Sequence, residues 1–345
     1  MSDSRDACNP QKERWQPTRR DVLGAGAAVL LGGGAATALR YASQNEGGLR
    51  ADVFIGKAAG YDADLVGVIH AGLTELGVTR SQIRGKRILL KPNLVETARG
   101  ESHINTNPAV VVAAAEVFRR LDAAEIVVAE GQGHRRDSVL VLDESGFATA
   151  LTEAGLSFVD LNHDDFVSVD NAGTWSKLGP LFLPKTLMKA DWVVSMPKLK
   201  THHWVGVTCA MKNMFGVMPG VVYGWPKNAL HYAGISESIL DINATVKPSL
   251  AIVDAVVGME GDGPILGTPK NVGCLVIGRN LPSVDATCAR IMELNPYAIG
   301  YLSGSSGKLG PIQEQNLRQR GEQIDTLRTR FELIDQPHLR GIARA

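Results

Sequence analysis

Closely spaced cysteines are missing from this sequence. Its four cysteines, Cys8, Cys209, Cys274 and Cys288, are widely separated, and none forms a C-x-x-C pair. A zinc ribbon or a cysteine-ligated iron–sulfur cluster needs such pairs, so neither is expected from this chain's own cysteines. The chain also has neither a G-x-G-x-x-G signature nor a Walker lysine motif, which leaves nucleotide binding weakly supported.

The chain has no excess of charge of either sign. Lys plus Arg and Asp plus Glu each number 36, and 21% of the residues are charged. A protein that wraps a nucleic acid usually carries a basic excess, so no nucleic-acid partner is expected. Hydrophobic residues make up 44% of the 345 residues, an ordinary globular composition that suffices for one large domain or two smaller ones.

Acidic residues are absent from the 45 residues between positions 192 and 236. The lysines and histidines of this acid-free stretch are Lys198, Lys200, His202, His203, Lys212, Lys227 and His231. An ordinary solvated face mixes both signs of charge. Unopposed cations among glycines, prolines and apolar residues instead indicate a concave site, whose low-dielectric walls focus the field on an anion. The stretch therefore predicts binding of a small anionic ligand.

The N-terminus is typical of a twin-arginine export signal. Arg19 and Arg20 precede an uncharged stretch, residues 22–39, built largely of Gly, Ala and Leu. We predict that residues 1–38 are the signal and residues 39–50 a linker, and that the protein is periplasmic or otherwise extracytoplasmic. The alternative is an uncleaved membrane anchor, since the stretch is about long enough to span a bilayer; its glycines and alanines make it a poor one.

Short apolar runs that alternate with amphipathic helical patterns predict the fold. The predicted strands include residues 53–55, 87–90, 125–129, 192–195, 250–253 and 272–277, and the predicted helices include residues 62–76, 108–121, 229–246 and 283–294. This alternation is typical of an α/β fold with a mostly parallel sheet and helices on both faces.

The predicted domain organisation is simple. An α/β core domain is expected over residues 51–303, with a small β-hairpin or inserted β lobe around residues 171–187. Residues 304–345 are expected to form a polar C-terminal extension, in which residues 331–334 are a candidate final edge strand.

Polar residues follow several predicted strands at the point where each strand ends. The segments are Lys91-Pro-Asn93, Glu130-Gly-Gln-Gly-His134, Pro197-Lys198 and, after the strand that starts at Leu250, Asp254 with Glu260-Gly-Asp-Gly-Pro264. In an open parallel sheet, ligands bind in the crevice beyond the carboxyl ends of the strands. We therefore predict that these segments meet in one cleft, although each segment alone is also typical of a simple turn.

Two residues of the acid-free stretch are predicted to act as the general acid or base. His202 is close in sequence to Lys198 and Lys200, which would lower its pKa and leave it neutral; the alternative is a buried, hydrogen-bonded structural histidine. Lys212 has apolar neighbours and no local acidic partner, so a ligand would be its counter-ion. The residues predicted to bind the anionic substrate are Lys91, Asn93, Lys198, Lys200 and Asn213.

Carboxylates near the same strand ends are candidate ligands of a divalent metal. They are Glu130, Asp254, Glu260 and Asp262. Carboxylates in a glycine-rich loop suit Mg²⁺ or Ca²⁺, and the alternative is ion pairing with the lysines. His202 and His203 are adjacent, so their side chains point in different directions and rarely reach one ion.

These motifs together resemble a known family. Lys91-Pro-Asn93, Pro197-Lys-Leu-Lys-Thr-His202, Lys212-Asn213 with Phe215-Gly216, and Glu260-Gly-Asp-Gly-Pro264 are similar to the successive motifs of the domain of unknown function 362 family. The resemblance covers roughly residues 52–302. Many members carry an added ferredoxin-like cysteine region, so the resemblance implies the core domain alone.

A fainter resemblance is to lactate-racemase-type proteins. It rests on Gly133-His-Arg135 and on residues 212–220, and it implies a small carboxylate ligand and acid–base chemistry. The sequence thus predicts an exported enzyme that acts on a small carboxylate or phosphate by acid–base chemistry, with a divalent metal as a further expectation. The alternatives are a non-catalytic anion- or cofactor-binding protein and a redox accessory protein that works with an iron–sulfur or cytochrome partner.

Overall fold

The structure is a computed structural model that describes residues 46–97, 99–134 and 136–343. The predicted export signal and most of the predicted linker lie outside the described residues. No helix in the described ranges combines the length and the apolar character that a membrane crossing requires.

A single large sheet organises the described residues. The strands of the protein are β1 Ala51–Lys57, β2 Arg87–Pro92, β3 Glu125–Glu130, β4 Ser157–Asp160, β5 Phe166–Val169, β6 Leu181–Pro184, β7 Trp192–Met196, β8 Lys198–His202, β9 Gly206–Thr208, β10 Leu250–Glu260, β11 Thr268–Gly278 and β12 Leu317–Gly321. The main path of the large sheet runs β12-β1-β11-β10-β7-β2-β3-β4, with β8 paired to β10 and β9 paired to β8.

Most strand pairs of this sheet are parallel. The exceptions are β1 with β11, β10 with β11, and β8 with β9, which are antiparallel. The remaining neighbours, from β12 with β1 to β3 with β4, are parallel. The prediction of an α/β fold with a mostly parallel sheet is confirmed.

Two apolar cores cover the two faces of the sheet. Ile88 and Leu90 of β2 pack into one core, and Leu89 between them packs into the other. Successive side chains of a strand point to opposite faces, so the near-continuous apolar runs in the sequence report burial on both sides. The helices are α1 Leu65–Glu75, α2 Arg80–Ile83, α3 Pro108–Arg120, α4 Ser138–Glu144, α5 Phe147–Glu153, α6 Lys185–Met188, α7 Ala210–Asn213, α8 Gly220–Tyr223, α9 Asn228–Tyr232, α10 Ile235–Val246, α11 Leu281–Ile291, α12 Gly300–Ser305 and α13 Ile324–Leu327.

Local chemistry explains where the helices begin and end. Helix α3 starts after Asn107, whose side chain accepts a hydrogen bond from the backbone of Ala109, and it has Pro108 at its first position. The helix predicted over residues 229–246 is divided into α9 and α10 at Gly234, whose φ of +101° favours glycine.

Outside the main sheet, β5 and β6 form an antiparallel two-stranded sheet, which confirms the predicted β-hairpin with an earlier start. The C-terminal residues differ from expectation. The final edge strand is β12, which pairs in parallel with β1, and the prediction of a strand at residues 331–334 is wrong. Phe331 and Ile342 are buried in the core, so this segment is integrated into the fold.

Candidate functional site

A cavity of about 410 Å³ lies at the carboxyl ends of β2 and β3. Its lining includes Lys91 and Asn93 after β2, Glu130 at the end of β3, and side chains of the acid-free stretch. Parallel strands present their carboxyl ends at one edge, which is where the sequence predicts a cleft. Of the predicted site residues, the cavity brings together Lys91, Asn93, Glu130, His202, Lys212, Asn213 and Asp262.

A buried ion pair forms the floor of the cavity. Nζ of Lys91 lies 2.6 Å from Oε2 of Glu130 and also donates to Oδ1 of Asn213 at 3.0 Å. Nδ2 of Asn213 in turn donates to the backbone oxygen of Lys91 and to Oγ of Ser195, each at 3.1 Å. Burial lowers the pKa of Lys91, and Glu130 opposes that shift. The Lys91 cation is therefore already paired before any ligand arrives.

Lys212 has a different environment in the same cavity. Its Nζ lies 4.0 Å from the centre of the Phe215 ring, a cation–π contact. Among the described residues, its ammonium has neither a carboxylate within ion-pair distance nor a hydrogen-bond acceptor. Burial is the main cause that lowers the pKa of Lys212, to about 8, and the charge of Lys91 adds to the effect. Lys212, whose side chain is half-buried, is thus a partly desolvated cation that lacks a fixed counter-ion.

The start of helix α7 holds Lys212 and Asn213 in place. Asp285 of α11 accepts hydrogen bonds from the backbone nitrogens of Ala210 and Met211, at 2.7 and 3.1 Å. Burial raises the pKa of Asp285 to about 7, and the two backbone donors favour its charged form. Asp285 is therefore a positioning residue for the segment that carries the site lysine.

Two histidines of the cavity have tautomers set by neighbouring backbone groups. Nδ1 of His202 accepts a hydrogen bond from the backbone nitrogen of Trp204 at 3.0 Å, so the neutral ring carries its proton on Nε2. Nδ1 of His231 lies 3.0 Å from the backbone oxygen of Lys227, which can only accept, so the lone pair of His231 is on Nε2.

Burial keeps both rings neutral at pH 7. Burial is the largest cause that lowers the pKa of His231, to about 4, and nearby Lys212 contributes. The pKa of His202 is well below its ordinary value for the same two reasons. Both rings adjoin Trp204, with centroids 6.2 Å away for His202 and 5.1 Å for His231. The cavity therefore holds one neutral imidazole that donates and one that accepts.

Lys227 and His231 are cavity residues to which the sequence assigns no role beyond their place in the acid-free stretch. Lys227 is buried and donates to Oδ1 of Asn162 at 2.9 Å and to the backbone oxygen of Met218. Burial lowers its pKa to about 7. Both residues belong to the acid-free stretch, and this is the sequence feature that indicates them as cavity residues.

Two buried polar atoms of the lining have no hydrogen-bond partner. They are Oδ1 of Asn93 and Oγ1 of Thr208, within the part of the chain that the structure describes. A buried polar atom without a partner costs free energy, so such atoms in a cavity favour a polar ligand. The Thr208 hydroxyl can donate to an anion and the Asn93 oxygen can accept from a ligand hydroxyl.

Four predicted site residues do not line the cavity. Nζ of Lys198 lies 2.5 Å from Oδ2 of Asp254 and donates to the hydroxyl of Tyr61 at 2.7 Å, with both charged groups fully buried. Lys200 is buried and donates to the backbone oxygen of Pro264 at 3.1 Å. Burial lowers its pKa well below the ordinary lysine value. Glu260 pairs with Lys270 at 3.1 Å.

The candidate metal ligands occupy separate interactions. Glu130 pairs with Lys91, Asp254 with Lys198 and Glu260 with Lys270, while Oδ1 of Asp262 lies 3.4 Å from Nδ1 of His203. Across residues 46–97, 99–134 and 136–343, no group of three or more His, Cys, Asp or Glu side chains is placed to hold a metal ion. The carboxylates thus fit ion pairing better than a shared metal, and a metal role for them stays a prediction.

Fold and site together define an α/β protein whose cationic, histidine-rich cavity opens at the carboxyl ends of a mostly parallel sheet. Residues 88–290 match the family described as "Domain of unknown function (DUF362)", and the chain belongs to this family. The resemblance of the strand-end motifs to that family is confirmed.

Two known proteins are similar to this chain. The thylakoid-associated protein sll1697 of Synechocystis sp. is 28% identical over 226 residues, which are 62% of this chain and 65% of the relative. The chain thus spans slightly less than two thirds of that relative's length. The lactate racemase apoprotein of Thermoanaerobacterium thermosaccharolyticum aligns over 73% of this chain and 59% of its own, with 15% identity and a TM-score of 0.46.

Proposed function

We propose that this protein is an extracytoplasmic enzyme that binds a small carboxylate or phosphate and moves a proton next to the anionic group. The observation that carries the proposal is Lys212, a cavity cation without a fixed counter-ion among the described residues. Desolvating a charge is costly unless it is paired, and an anionic ligand would supply the partner of this half-buried lysine.

The two histidines supply the proton-transfer groups. With its lone pair on Nε2, neutral His231 is the general base that would take a proton from the carbon next to the anionic group, once the bound anion offsets the charge of Lys212 that lowers its pKa. With its proton on Nε2, neutral His202 is the donor that would stabilise or protonate the oxygen on which charge develops. The Thr208 hydroxyl would donate a second hydrogen bond to the anion that Lys212 holds.

The proposed location follows from the N-terminus. Arg19 and Arg20 ahead of an apolar stretch favour twin-arginine export. The relative in Synechocystis sp. is named a thylakoid-associated protein, which supports a location outside the cytoplasm for this chain as well.

Binding and proton transfer can be tested separately. Calorimetric titration with acetate and with phosphate measures anion affinity, and we expect Lys212→Met to lose most of it. Deuterium uptake from D₂O into the carbon next to a carboxylate, followed by proton NMR on a panel that includes phenylacetate and propionate, measures proton transfer. We expect His231→Gln to slow the uptake by about 10²–10⁴-fold while it keeps anion affinity. Lys189→Met, at an exposed lysine outside the cavity lining, is the control.

The outcomes separate the two leading functions. Anion affinity that is equal in the wild type and in Lys212→Met would contradict the proposal. Anion binding that depends on Lys212, without measurable deuterium uptake across the panel, would instead favour a non-catalytic anion-binding protein.

A further inference from the structure

The exposed part of the cavity lining is mostly apolar, although it also includes His134 and the carboxylate of Asp262, whereas the buried part is cationic. Trp204 and Leu266 line the cavity with 47% and 77% of their surfaces exposed, and Ile265 and Pro226 are further apolar residues of the lining. The charged or amide-bearing lining residues Lys91, Asn213 and Lys227 are almost fully buried. Apolar side chains at the opening would not stabilise a small hydrophilic ion, because such an ion stays hydrated at the opening.

Trp204 is held in place although it is half exposed. Its ring makes edge-to-face contacts with His203 and with His231, with centroids 4.8 and 5.1 Å apart. Its backbone nitrogen also donates to His202. An indole packed against His231 and His203 is an ordered apolar wall beside the proposed general base, not a freely moving surface side chain.

The size of the cavity points the same way. Its volume of about 410 Å³ lies within the range of pockets that enclose organic ligands, about 300–1,000 Å³. A water molecule takes about 30 Å³ of liquid volume, so acetate or phosphate would fill only a small part of the space. Large exposed apolar side chains are normal when they are scattered, but Trp204 and Leu266 converge on one opening.

We infer that the ligand is an amphiphilic anion, with an anionic head at Lys212 and an apolar tail, aryl or alkyl, between Trp204 and Leu266. This inference rests on the proposed function and adds the class of ligand to it. Burial of each CH₂ of the tail is worth about a fourfold change in Kd. Affinity should therefore rise along a series of carboxylates until the tail leaves the cavity.

The test is a calorimetric titration with acetate, butyrate, hexanoate and octanoate. We expect the Kd of the wild type to fall about three- to fourfold per CH₂ over at least the first part of the series. Leu266→Ser and Trp204→Ser should reduce the ratio of the acetate Kd to the octanoate Kd at least tenfold. Met188→Ser, at an exposed apolar residue outside the cavity lining, should leave that ratio unchanged.

Each contrary outcome has a distinct meaning. Equal affinities for acetate and octanoate, both lost in Lys212→Met, would overturn the amphiphilic ligand and leave the proposed anion site intact. A length dependence that survives both mouth substitutions would overturn the assigned tail site. If Lys212→Met bound the carboxylates as tightly as the wild type does, the anionic head and with it the proposed function would be contradicted. Binding of octanol with the same affinity as octanoate would contradict them as well.

Discussion

The side chain of Glu130 occupies the space in which a β-carbon of Gly216 would stand. A β-carbon built on Gly216 would lie 1.9 Å from Oε1 of Glu130 and 2.6 Å from Nζ of Lys91. Real β-carbons do not approach other atoms this closely, so the backbone of the segment after Lys212 can lie against the buried ion pair only because residue 216 is glycine. This contact links the floor of the cavity to the segment that carries Lys212.

Gly216→Ala is therefore expected to separate Lys91 from Glu130. Removing one partner of a buried ion pair typically costs about 3–5 kcal/mol, and since Gly216→Ala displaces the two side chains but keeps both, we expect a loss of up to this size in the free energy of unfolding. Urea unfolding measures it. Gly133→Ala is the matched control in the same cavity, since a β-carbon there would lie 3.9 Å from its nearest neighbour, Pro226. Equal losses in the two variants would contradict the steric argument.

The ion pair of Lys198 with Asp254 is expected to stabilise the fold without binding the ligand. Lys198→Met leaves Asp254 buried with Tyr61 as its remaining side-chain donor and should cost about 3–5 kcal/mol of unfolding free energy. The double variant Lys198→Met/Asp254→Leu removes both charges and should recover much of that loss. Unfolding and acetate titration on the same samples check this. If the double variant folds well but has lost its affinity for acetate, this expectation is wrong and Lys198 contributes to anion binding.

Anion affinity is expected to fall at alkaline pH. The anion binds the protonated form of Lys212, whose pKa in the free protein is lowered to about 8. Below that pH Lys212 is charged, whereas above it the Kd should rise up to about tenfold per pH unit. Titrations between pH 6 and 10 measure this profile. Lys212→Met should show weak binding without the break near pH 8; the same break in that variant would assign the titration to another group.

The sequence predicts the parts of the fold and site that depend on local pattern. Apolar runs reveal strands that are buried on both faces, and the order of elements places Lys91, Asn93 and Glu130 at one edge of a parallel sheet. The acid-free stretch predicts a cationic cavity because the composition of the stretch is visible without coordinates. The sequence does not indicate edge strand β12, since Leu317–Gly321 is largely polar and only partly buried beside β1.

Pairings between distant residues are what the sequence does not reveal. Lys198 and Asp254 are register partners on the parallel strands β8 and β10, and nothing local to either residue indicates the other. The roles of His202 and His231 likewise depend on which backbone group each Nδ1 meets. Composition places both histidines in the same stretch, but only the folded backbone makes one a donor and the other an acceptor.

Lys227 is expected to make stability depend on pH. Its pKa in the folded protein is lowered to about 7 from an ordinary value of 10.5, so between these values the folded state binds fewer protons than the unfolded state. The contribution of Lys227 to stability is complete above pH 10.5, where the lysine is neutral in both states, and it is lost as the pH falls to about 7. The free energy of unfolding should therefore rise with pH by at most about 1.4 kcal/mol per pH unit in this window. Lys227→Met lacks the titrating group. In urea unfolding at pH 7, 8 and 9, the free energy of unfolding of the wild type should therefore increase relative to that of the variant as the pH rises. Lys189→Met, at an exposed site, should follow the wild type at each pH; parallel curves for the wild type and Lys227→Met would show that Lys227 keeps an ordinary pKa in the folded protein.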